Sequence, residues 1–450
     1  MSPSFPRCVY FVGIGGIGMS ALARYFKQAG AEVSGYDLTE TELTRALVAE
    51  GIGVHYEDRP ELIPAEVDLA VYTPAVPSDF GELRALREAG VRLVKRAEAL
   101  GVISRRHRTL AVAGTHGKTT TSAMAAYLLR EADTDAVAFL GGIAANYDTN
   151  YLPGAGEWLV VEADEYDRSF LQLNPRIAVV TFVEPDHMDI YGEVSAFEDS
   201  FREFVGRVEG GGLVITKPDI ARELRTSLEH VRVQTYGVED AEAEWSAERI
   251  AVGDGVYTFD LRHGERVYPG LSLAMPGRHN VENAVAAIAA AAGAGVPVEQ
   301  AAGSLGGFRG VQRRFELVGT WRGARVISDY AHHPTEVKAS ITSAKAMFGS
   351  YRLIGIFQPH LYSRTRDFAE GFAAALSDLQ TVVMLELYPA RELPIAGVSS
   401  MTIFSNITAG EKYLVDSSEA PDLLRVLDGD VLLFMGAGDI DGLARSLLDE

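Results

Sequence analysis

The stretch TLAVAGTHGKTTTSAMAAYLL, residues 109–129, decides the fold of the middle of the chain. It combines an apolar strand, a glycine-rich turn and a helix. Such a turn lets backbone N–H groups close around phosphate oxygens, and the helix N-terminus adds its dipole. Lys118 supplies positive charge, and Thr119 stands where such loops coordinate Mg²⁺. Because Val112 replaces the usual first glycine, we interpret the motif as a shorter variant of an ATP-binding loop. The predicted ATP-binding residues of this loop are Gly114, Thr115, His116, Gly117, Lys118, Thr119 and Thr120.

Both sides of this loop alternate apolar strands with helices, which is typical of parallel, doubly wound α/β sheets. The spacing predicts strands before the loop at 8–13, 31–37 and within 67–77. It predicts further strands near the C-terminus at 324–329, 351–357, 381–387 and 431–435. Residues 208–275 are less regular, and 276–295 indicate a long Ala-rich helix. A chain of 450 residues is longer than a single hydrophobic core can accommodate, so two or three domains are expected.

The charge balance and the single cysteine restrict the possible functions. The net charge of −21 argues against binding to nucleic acid or to an anionic membrane. The single Cys8 cannot form an internal disulfide, which fits a cytoplasmic protein, and its apolar neighbours predict a buried strand position. We expect no membrane insertion, because no stretch of 18 apolar residues lacks charge.

Two acidic clusters follow predicted strands downstream of the phosphate loop. The first is Glu162, Asp164, Glu165 and Asp167, and the second is Glu184, Asp186, His187 and Asp189. Ligands gather at the carboxyl ends of strands in open parallel sheets, and Mg²⁺ prefers carboxylate oxygens and phosphates. Glu162 is the best ligand candidate because it directly follows the buried run WLVV.

The N-terminal turn GIGGIG, residues 13–18, fits a pyrophosphate-binding fingerprint. Gly13, Gly15 and Gly18 have the required spacing, and Asp37 ends the next strand. Alone, this pattern would suggest an NAD-dependent dehydrogenase, but such a turn accepts any pyrophosphate.

The C-terminal part carries two polar loops, each after a predicted strand. They are SDYAHHPTE (328–336) and QPHLYSR (358–364). Paired histidines, Arg364 and Asp329 at corresponding strand ends predict a polar substrate site.

Nine motifs together resemble the Mur ligase family and occur in the family's order over nearly the whole chain. They are GIGGIGMS, AGTHGKTTT, VEADEYD, EPDHMDIYG, PGRHNVENA, RRFE, DYAHHPTE, FQPHLYSRTRDF and LYPARE. The resemblance implies an α/β fold of three domains: a UDP-sugar-binding Rossmann-like domain (1–107), a central P-loop ATPase with a mainly parallel sheet (108–312) and an amino-acid-binding Rossmann-like domain (313–450).

The implied activity is ATP-dependent amide formation. ATP would phosphorylate the lactyl carboxylate of UDP-N-acetylmuramate, and the amine of L-alanine would attack the resulting acyl phosphate. The implied cofactors are ATP and Mg²⁺, with two metal ions and Mn²⁺ as a substitute. The expected assembly is a monomer or a homodimer.

The resemblance also implies roles for residues at matching positions. The implied metal ligands are Thr119 and Glu162 for one ion and His187 for the second. His279 and Asn283, four residues apart on one helix face, would border the adenine. Arg314 and Asp329 would contact ATP, while His360 and Arg364 would lie near the amino acid and the reacting carboxylate. The implied UDP-sugar residues are Gly15, Gly16, Ile17, Gly18, Met19, Ser20, Asp37 and Thr73. The implied catalytic residues are Lys118, Glu162, His187, Arg314, His360 and Arg364.

Three positions depart from the family pattern, and two other functions compete. Many members have Asp at Ser328, Arg at Leu361 and Asn at Phe182, so contacts made by those side chains are in doubt here. The nearest rival is the murein tripeptide ligase, which uses the same UDP-sugar and ATP. A catalytically silent ATP-binding regulator is the alternative from another class, although Lys118, Glu162 and His187 are all present.

Overall fold

The computed structural model describes residues 5–73, 76–77, 79–186, 188–253, 256–390 and 392–449. The predicted metal ligand His187 lies outside the described residues. Within them, no helix has the length and apolar character needed to cross a membrane.

The first sheet contains five parallel strands in the order β3-β2-β1-β4-β5. Every residue of β1 is buried, including Cys8, as predicted. Short Gly53–His55 was not predicted as a strand, since three residues carry little periodicity. The strands are β1 (Cys8–Val12), β2 (Glu32–Tyr36), β3 (Gly53–His55), β4 (Leu69–Tyr72) and β5 (Arg92–Lys95), and the helices are α1 (Ile17–Gln28), α2 (Glu42–Ala49), α3 (Gly81–Glu88) and α4 (Arg96–Ser104), with a 3-10 turn at Pro60–Leu62.

The second sheet has ten strands in the order β15-β14-β13-β12-β11-β10-β6-β9-β7-β8. Strand β6 pairs in parallel with β9 and β10, so the phosphate loop follows an interior strand. The strands are β6 (Arg108–Ala113), β7 (Val137–Ala144), β8 (Thr149–Leu152), β9 (Trp158–Glu162), β10 (Ile177–Val180), β11 (Leu213–Thr216), β12 (Arg232–Val238), β13 (Trp245–Gly253), β14 (Val256–His263) and β15 (Arg266–Leu273). The helices are α5 (Lys118–Glu131), α6 (Met188–Tyr191), α7 (Val194–Gly206), α8 (Pro218–Glu223), α9 (Arg278–Gly293) and α10 (Val298–Ser304), with 3-10 segments at Tyr166–Gln172, Arg225–Ser227 and Leu305–Gly307.

The third sheet has six strands in the order β16-β17-β21-β18-β19-β20. All neighbours pair in parallel except β16 and β17. The strands are β16 (Glu316–Trp321), β17 (Ala324–Asp329), β18 (Leu353–Phe357), β19 (Thr381–Leu385), β20 (Glu411–Val415) and β21 (Val431–Met435). The helices are α11 (Pro334–Phe348), α12 (Tyr362–Asp367), α13 (Ala369–Leu376), α14 (Met401–Phe404), α15 (Ala420–Val426) and α16 (Ile440–Ser446), with a 3-10 turn at Leu447–Asp449.

The chain forms two compact units. One contains the residues up to Ser246, with Arg262–Val267 and Asn283–Leu305, and the other contains Ala247–Leu261, Tyr268–Glu282 and the residues from Gly306 onward. The first unit holds the first sheet and strands β6 to β12, and the second unit holds the third sheet. The predicted α/β fold with mainly parallel sheets is confirmed, whereas the three residue boundaries stay predictions.

Candidate active site

The phosphate loop between β6 and α5 is shaped by two glycines and braced by the segment after β10. Gly114 has φ +128° and Gly117 has φ +80°, which side chains of L-residues rarely adopt. The backbone N–H of Thr115 donates to Phe182 O at 3.0 Å. The hydroxyl of Thr181 donates to His116 O at 2.5 Å. The conformation of the loop is therefore fixed by its glycine backbone and by hydrogen bonds with the segment that follows β10.

Lys118 opens α5 and points back across this loop. Its ammonium donates to Gly114 O at 2.7 Å and lies 2.8 Å from a carboxylate oxygen of Glu165, which is almost fully buried. Burial acts to lower the pKa of Lys118, but Glu165, Asp164 and Glu162 outweigh it and hold this pKa above its usual range. The lysine therefore stays charged and already pairs with a carboxylate.

The two predicted metal ligands lie at the start of helix α5 and at the end of strand β9. Thr119 is buried in the first turn of α5, and Glu162 ends β9, where it is in register with Val112 of β6. A side chain at Gly141 would overlap the Glu162 carboxylate, so glycine leaves the space that this carboxylate occupies. A hydroxyl and a carboxylate are the hard oxygen donors that Mg²⁺ prefers, so the two predicted ligands fit a magnesium ion.

Helix α9 places the two predicted adenine residues in different surroundings. A side chain at Gly117 would approach Asn283 Oδ1 to 2.6 Å, so Asn283 lies against the phosphate loop. His279, one turn earlier, lies against Gly277 and Ser343 in the second unit. Burial lowers the pKa of His279 to about 4, with Glu336 opposing the shift, so its ring is neutral at pH 7.

The N-terminal turn gathers the predicted UDP-sugar residues at the carboxyl edge of the first sheet. The N–H of Gly15 donates to Asp37 Oδ2 at 2.6 Å, and a side chain at Gly13 would come within 2.6 Å of Thr73. Ser20 donates to Ile17 O at 2.9 Å within α1. Gly15, Gly16, Ile17, Gly18, Met19, Ser20, Asp37 and Thr73 all belong to this turn, the start of α1 or the ends of β2 and β4.

The second unit brings the polar loops after β17 and β18 together. Burial lowers the pKa of His332 to about 4; Glu336 opposes this shift, whereas Arg364 and Arg314 reinforce it. The rings of His332 and His360 are 6.3 Å apart, and His360 stacks on Tyr388. The structure therefore brings the predicted residue His360 beside His332, whose ring also experiences the charges of the predicted residues Arg314 and Arg364.

Asp329, at the end of β17, is a carboxyl with a raised pKa. Burial raises its pKa to about 7, against the lowering effect of Arg314, and Ser340 donates a hydrogen bond to it. The folded protein therefore binds this proton more tightly than the unfolded chain, and the associated stability is lost as pH rises from about 4 through 7.

Asp329→Asn is expected to remove this pH dependence. The unfolding free energy of the variant minus that of the parent should increase by about 1–2 kcal/mol from pH 5 to pH 8. Urea unfolding at several pH values measures this, with exposed Asp416→Asn as the control. An equal stability difference at both pH values would contradict the raised pKa.

Two of the side chains at these sites had no predicted role. Glu165 belongs to the first acidic cluster, but only tertiary structure shows that it is the carboxylate that pairs with Lys118. Arg96 carried no local signal, yet its guanidinium lies beside Gly18 and contacts Asp164 at 3.3 Å. The sequence placed Asp164 in a cluster of candidate metal ligands, and its pairing with an arginine was not predicted.

Comparison with known proteins agrees with this geometry. Three family models match: the catalytic domain of the Mur ligase family at residues 8–108, the Mur ligase middle domain at 112–291 and the Mur ligase glutamate ligase domain at 313–438. The chain is 44% identical over 443 residues to the UDP-N-acetylmuramate–L-alanine ligase of Cytophaga hutchinsonii, covering 96% of this chain and 94% of that protein. The chain belongs to the Mur ligase family. The predicted three-domain Mur ligase fold and the predicted ATP-dependent ligase class are thereby confirmed.

Two further proteins show how much of this Mur ligase the similarity covers. The UDP-N-acetylmuramate–L-alanine ligase of Porphyromonas gingivalis is 47% identical over 445 residues, covering 97% of each chain. The crystal structure of a UDP-N-acetylmuramate–alanine ligase from Thermotoga maritima matches with a TM-score of 0.83 and 30% identity, covering 98% of each chain. The roles of individual residues stay predictions.

Proposed function

We propose that this Mur ligase joins L-alanine to the lactyl carboxylate of UDP-N-acetylmuramate, with conversion of ATP to ADP and phosphate. The observation that carries the proposal is the full-length similarity to ligases named for this reaction, at 44% and 47% identity. The reaction would serve peptidoglycan precursor synthesis in the cytoplasm. The phosphate loop, the acidic strand ends and the N-terminal turn supply the groups that this chemistry needs.

The phosphate loop supports the first chemical step. A carboxylate is a poor electrophile until one of its oxygens becomes part of a good leaving group. Attack of the lactyl carboxylate on the γ-phosphorus of ATP forms a C–O–P bond and releases ADP. Catalysis of such transfers depends on positioning and on neutralising charge, and Lys118 lies where it can do both.

The second step forms the amide bond. The neutral amine of L-alanine attacks the acyl carbon, the amine loses a proton, and the C–O bond to phosphate breaks. His360 and Arg364 are the residues of the second unit that we assign to the amino acid and the reacting carboxylate. Arg314 and Asp329 are assigned to ATP, as are His279 and Asn283.

Oxygen donors support the metal assignment. Thr119 and Glu162 would hold Mg²⁺, which supplies positive charge to the phosphate groups. We assign a second ion to His187 and expect Mn²⁺ to substitute for Mg²⁺.

Phosphate release with a panel of acceptors tests the function. UDP-N-acetylmuramate, ATP and Mg²⁺ would be supplied with each amino acid in turn and with the murein tripeptide. L-alanine is expected to give the fastest release. Preference for the tripeptide would favour the murein tripeptide ligase, and no acceptor-dependent release would favour a silent ATP-binding protein.

Activity is expected to be independent of dissolved CO₂. A carbamate that helped to hold a metal ion beside the predicted ligand His187 would need a nearby lysine, but residues 188–216 contain none. Arg202 and Arg207 are cationic at any working pH and pair with Glu198 and Glu203, so neither can form a carbamate. Turnover measured in degassed and in bicarbonate-supplemented buffer, from about pH 6 to 8, should agree.

Lys217 is the residue that could contradict this prediction. Its ammonium lies 3.3 Å from the centre of the Phe182 ring, so the side chain makes a cation–π contact there. Bicarbonate activation that grows towards low pH, and that disappears in Lys217→Arg, would overturn the prediction.

A further inference from the structure

Arg96 lies between the N-terminal turn and the first acidic cluster, all within one unit. It is the first residue of α4, and a side chain at Gly18 would come within 2.6 Å of its Nη1 atom. Its Nη2 atom lies 3.3 Å from Asp164 Oδ2. The Arg96 side chain is 30% exposed and the Asp164 side chain 36% exposed, so both groups remain accessible to a ligand. One guanidinium therefore faces the predicted pyrophosphate site and an acidic partner together.

The adjacent residue makes a second cation–carboxylate contact to the same segment. Lys95 Nζ lies 3.0 Å from Asp167 Oδ2. Asp167 and Arg168 have φ of 51° and 54°, a left-handed conformation that costs free energy for residues other than glycine. Such backbone persists where its surroundings determine it, and the Lys95 contact and a cation–π contact from Arg168 to Tyr191 do so here. Lys95 at the end of β5 and Arg96 at the start of α4 thus both help to position the acidic segment.

The same segment reaches the phosphate loop. Asp164 is among the carboxylates that raise the pKa of Lys118, and the next residue, Glu165, pairs with Lys118 directly.

We propose that Arg96 exchanges partners, leaving Asp164 for the anionic group of the ligand that fills the N-terminal turn. The identity of that ligand as a UDP-sugar rests on the proposed function. Arg96 is then an anion-binding residue of the turn, and Asp164 competes with the ligand for it. Filling the turn then leaves the Asp164 carboxylate without its arginine partner.

Binding of UDP to the full chain, measured by calorimetry without ATP, tests the exchange. Arg96→Gln should weaken UDP binding at least about tenfold, because a charged hydrogen bond to the ligand is lost. Asp164→Asn should tighten it about threefold or more, because Arg96 no longer has a competing partner. In the double variant, the asparagine substitution should have no effect beyond that of Arg96→Gln.

The direction in which Asp164→Asn changes the UDP affinity distinguishes partner exchange from a purely structural role of the Arg96–Asp164 pair. If the pair only stabilises the fold, both substitutions should weaken binding, and that result would overturn the proposal, as would unchanged binding in Arg96→Gln. Arg96→Lys should restore part of the affinity. Arg207→Gln removes an arginine from a surface pair with Glu203 and should leave binding unchanged.

A failure of the proposed function gives a different result. If the parent protein binds UDP no better than uridine, the assigned occupant of the turn is wrong. The same variants titrated with inorganic pyrophosphate then test the exchange alone, and the absence of the opposite-sign pattern would overturn it.

Discussion

Replacing Lys118 with alanine is expected to reduce ligation by about 100-fold or more, since preorganised charged donors contribute factors of that size. The ammonium lies over the loop, 2.7 Å from Gly114 O, where it would neutralise charge on the transferring phosphoryl group. UDP binding should change less than about twofold, because the N-terminal turn belongs to another sheet. Phosphate release at saturating substrates and calorimetry with UDP are the two measurements.

Lys338→Ala is the matched control for charge. Lys338 is exposed on α11, and its loss should leave phosphate release unchanged. A Lys118→Ala protein that retains more than roughly a tenth of the parent turnover would show that Lys118 does not hold the reacting phosphate.

Gly114→Ala is expected to abolish ATP binding and to destabilise the fold by about 3 kcal/mol. The φ of +128° is strained for alanine, and its methyl group would overlap the Thr181 hydroxyl and approach the backbone N of Phe182 to 2.7 Å. A positive φ costs an alanine about 1–2 kcal/mol, and overpacking costs about 1–3 kcal/mol. Urea unfolding and titration with ADP would report the two losses separately.

Gly211→Ala is a control that separates the cost of a positive φ from the cost of steric overlap. Gly211 has φ +73°, and no described residue lies within 4 Å of a side chain built there. This control should lose about 1 kcal/mol and should keep ADP binding. If the two glycine variants were equally stable and both bound ADP, the loop would not require the close approach seen at Gly114.

The sequence predicts the features that depend on local spacing. Gly114, Gly117 and Lys118 lie in one loop whose form follows from a strand, a turn and a helix, so their arrangement was predictable. The same holds for Gly15 and Asp37, which the fingerprint spacing brings to adjacent strand ends and which share a hydrogen bond in the structure.

The sequence could not predict contacts that tertiary structure creates. Arg96 is 68 residues from Asp164, and no periodicity relates them. Glu165 is one of four acidic residues in its cluster, and only the packing of β9 against β6 selects it as the partner of Lys118. Strand β20 was not predicted because none of its five residues is fully buried, so its pattern is weak.

The pairing of Lys118 with Glu165 also has a consequence for the rate at which ADP would leave the site after each reaction. With Lys118 assigned to ATP as proposed, an incoming nucleotide would compete with the Glu165 carboxylate for the ammonium, which would offset part of the binding free energy. After the reaction, the Glu165 carboxylate would re-form its ion pair with Lys118 as ADP dissociates. On that assignment, Glu165 would lower the affinity for ATP and ADP alike and shorten the residence time of ADP, which would raise turnover where product release is rate-limiting.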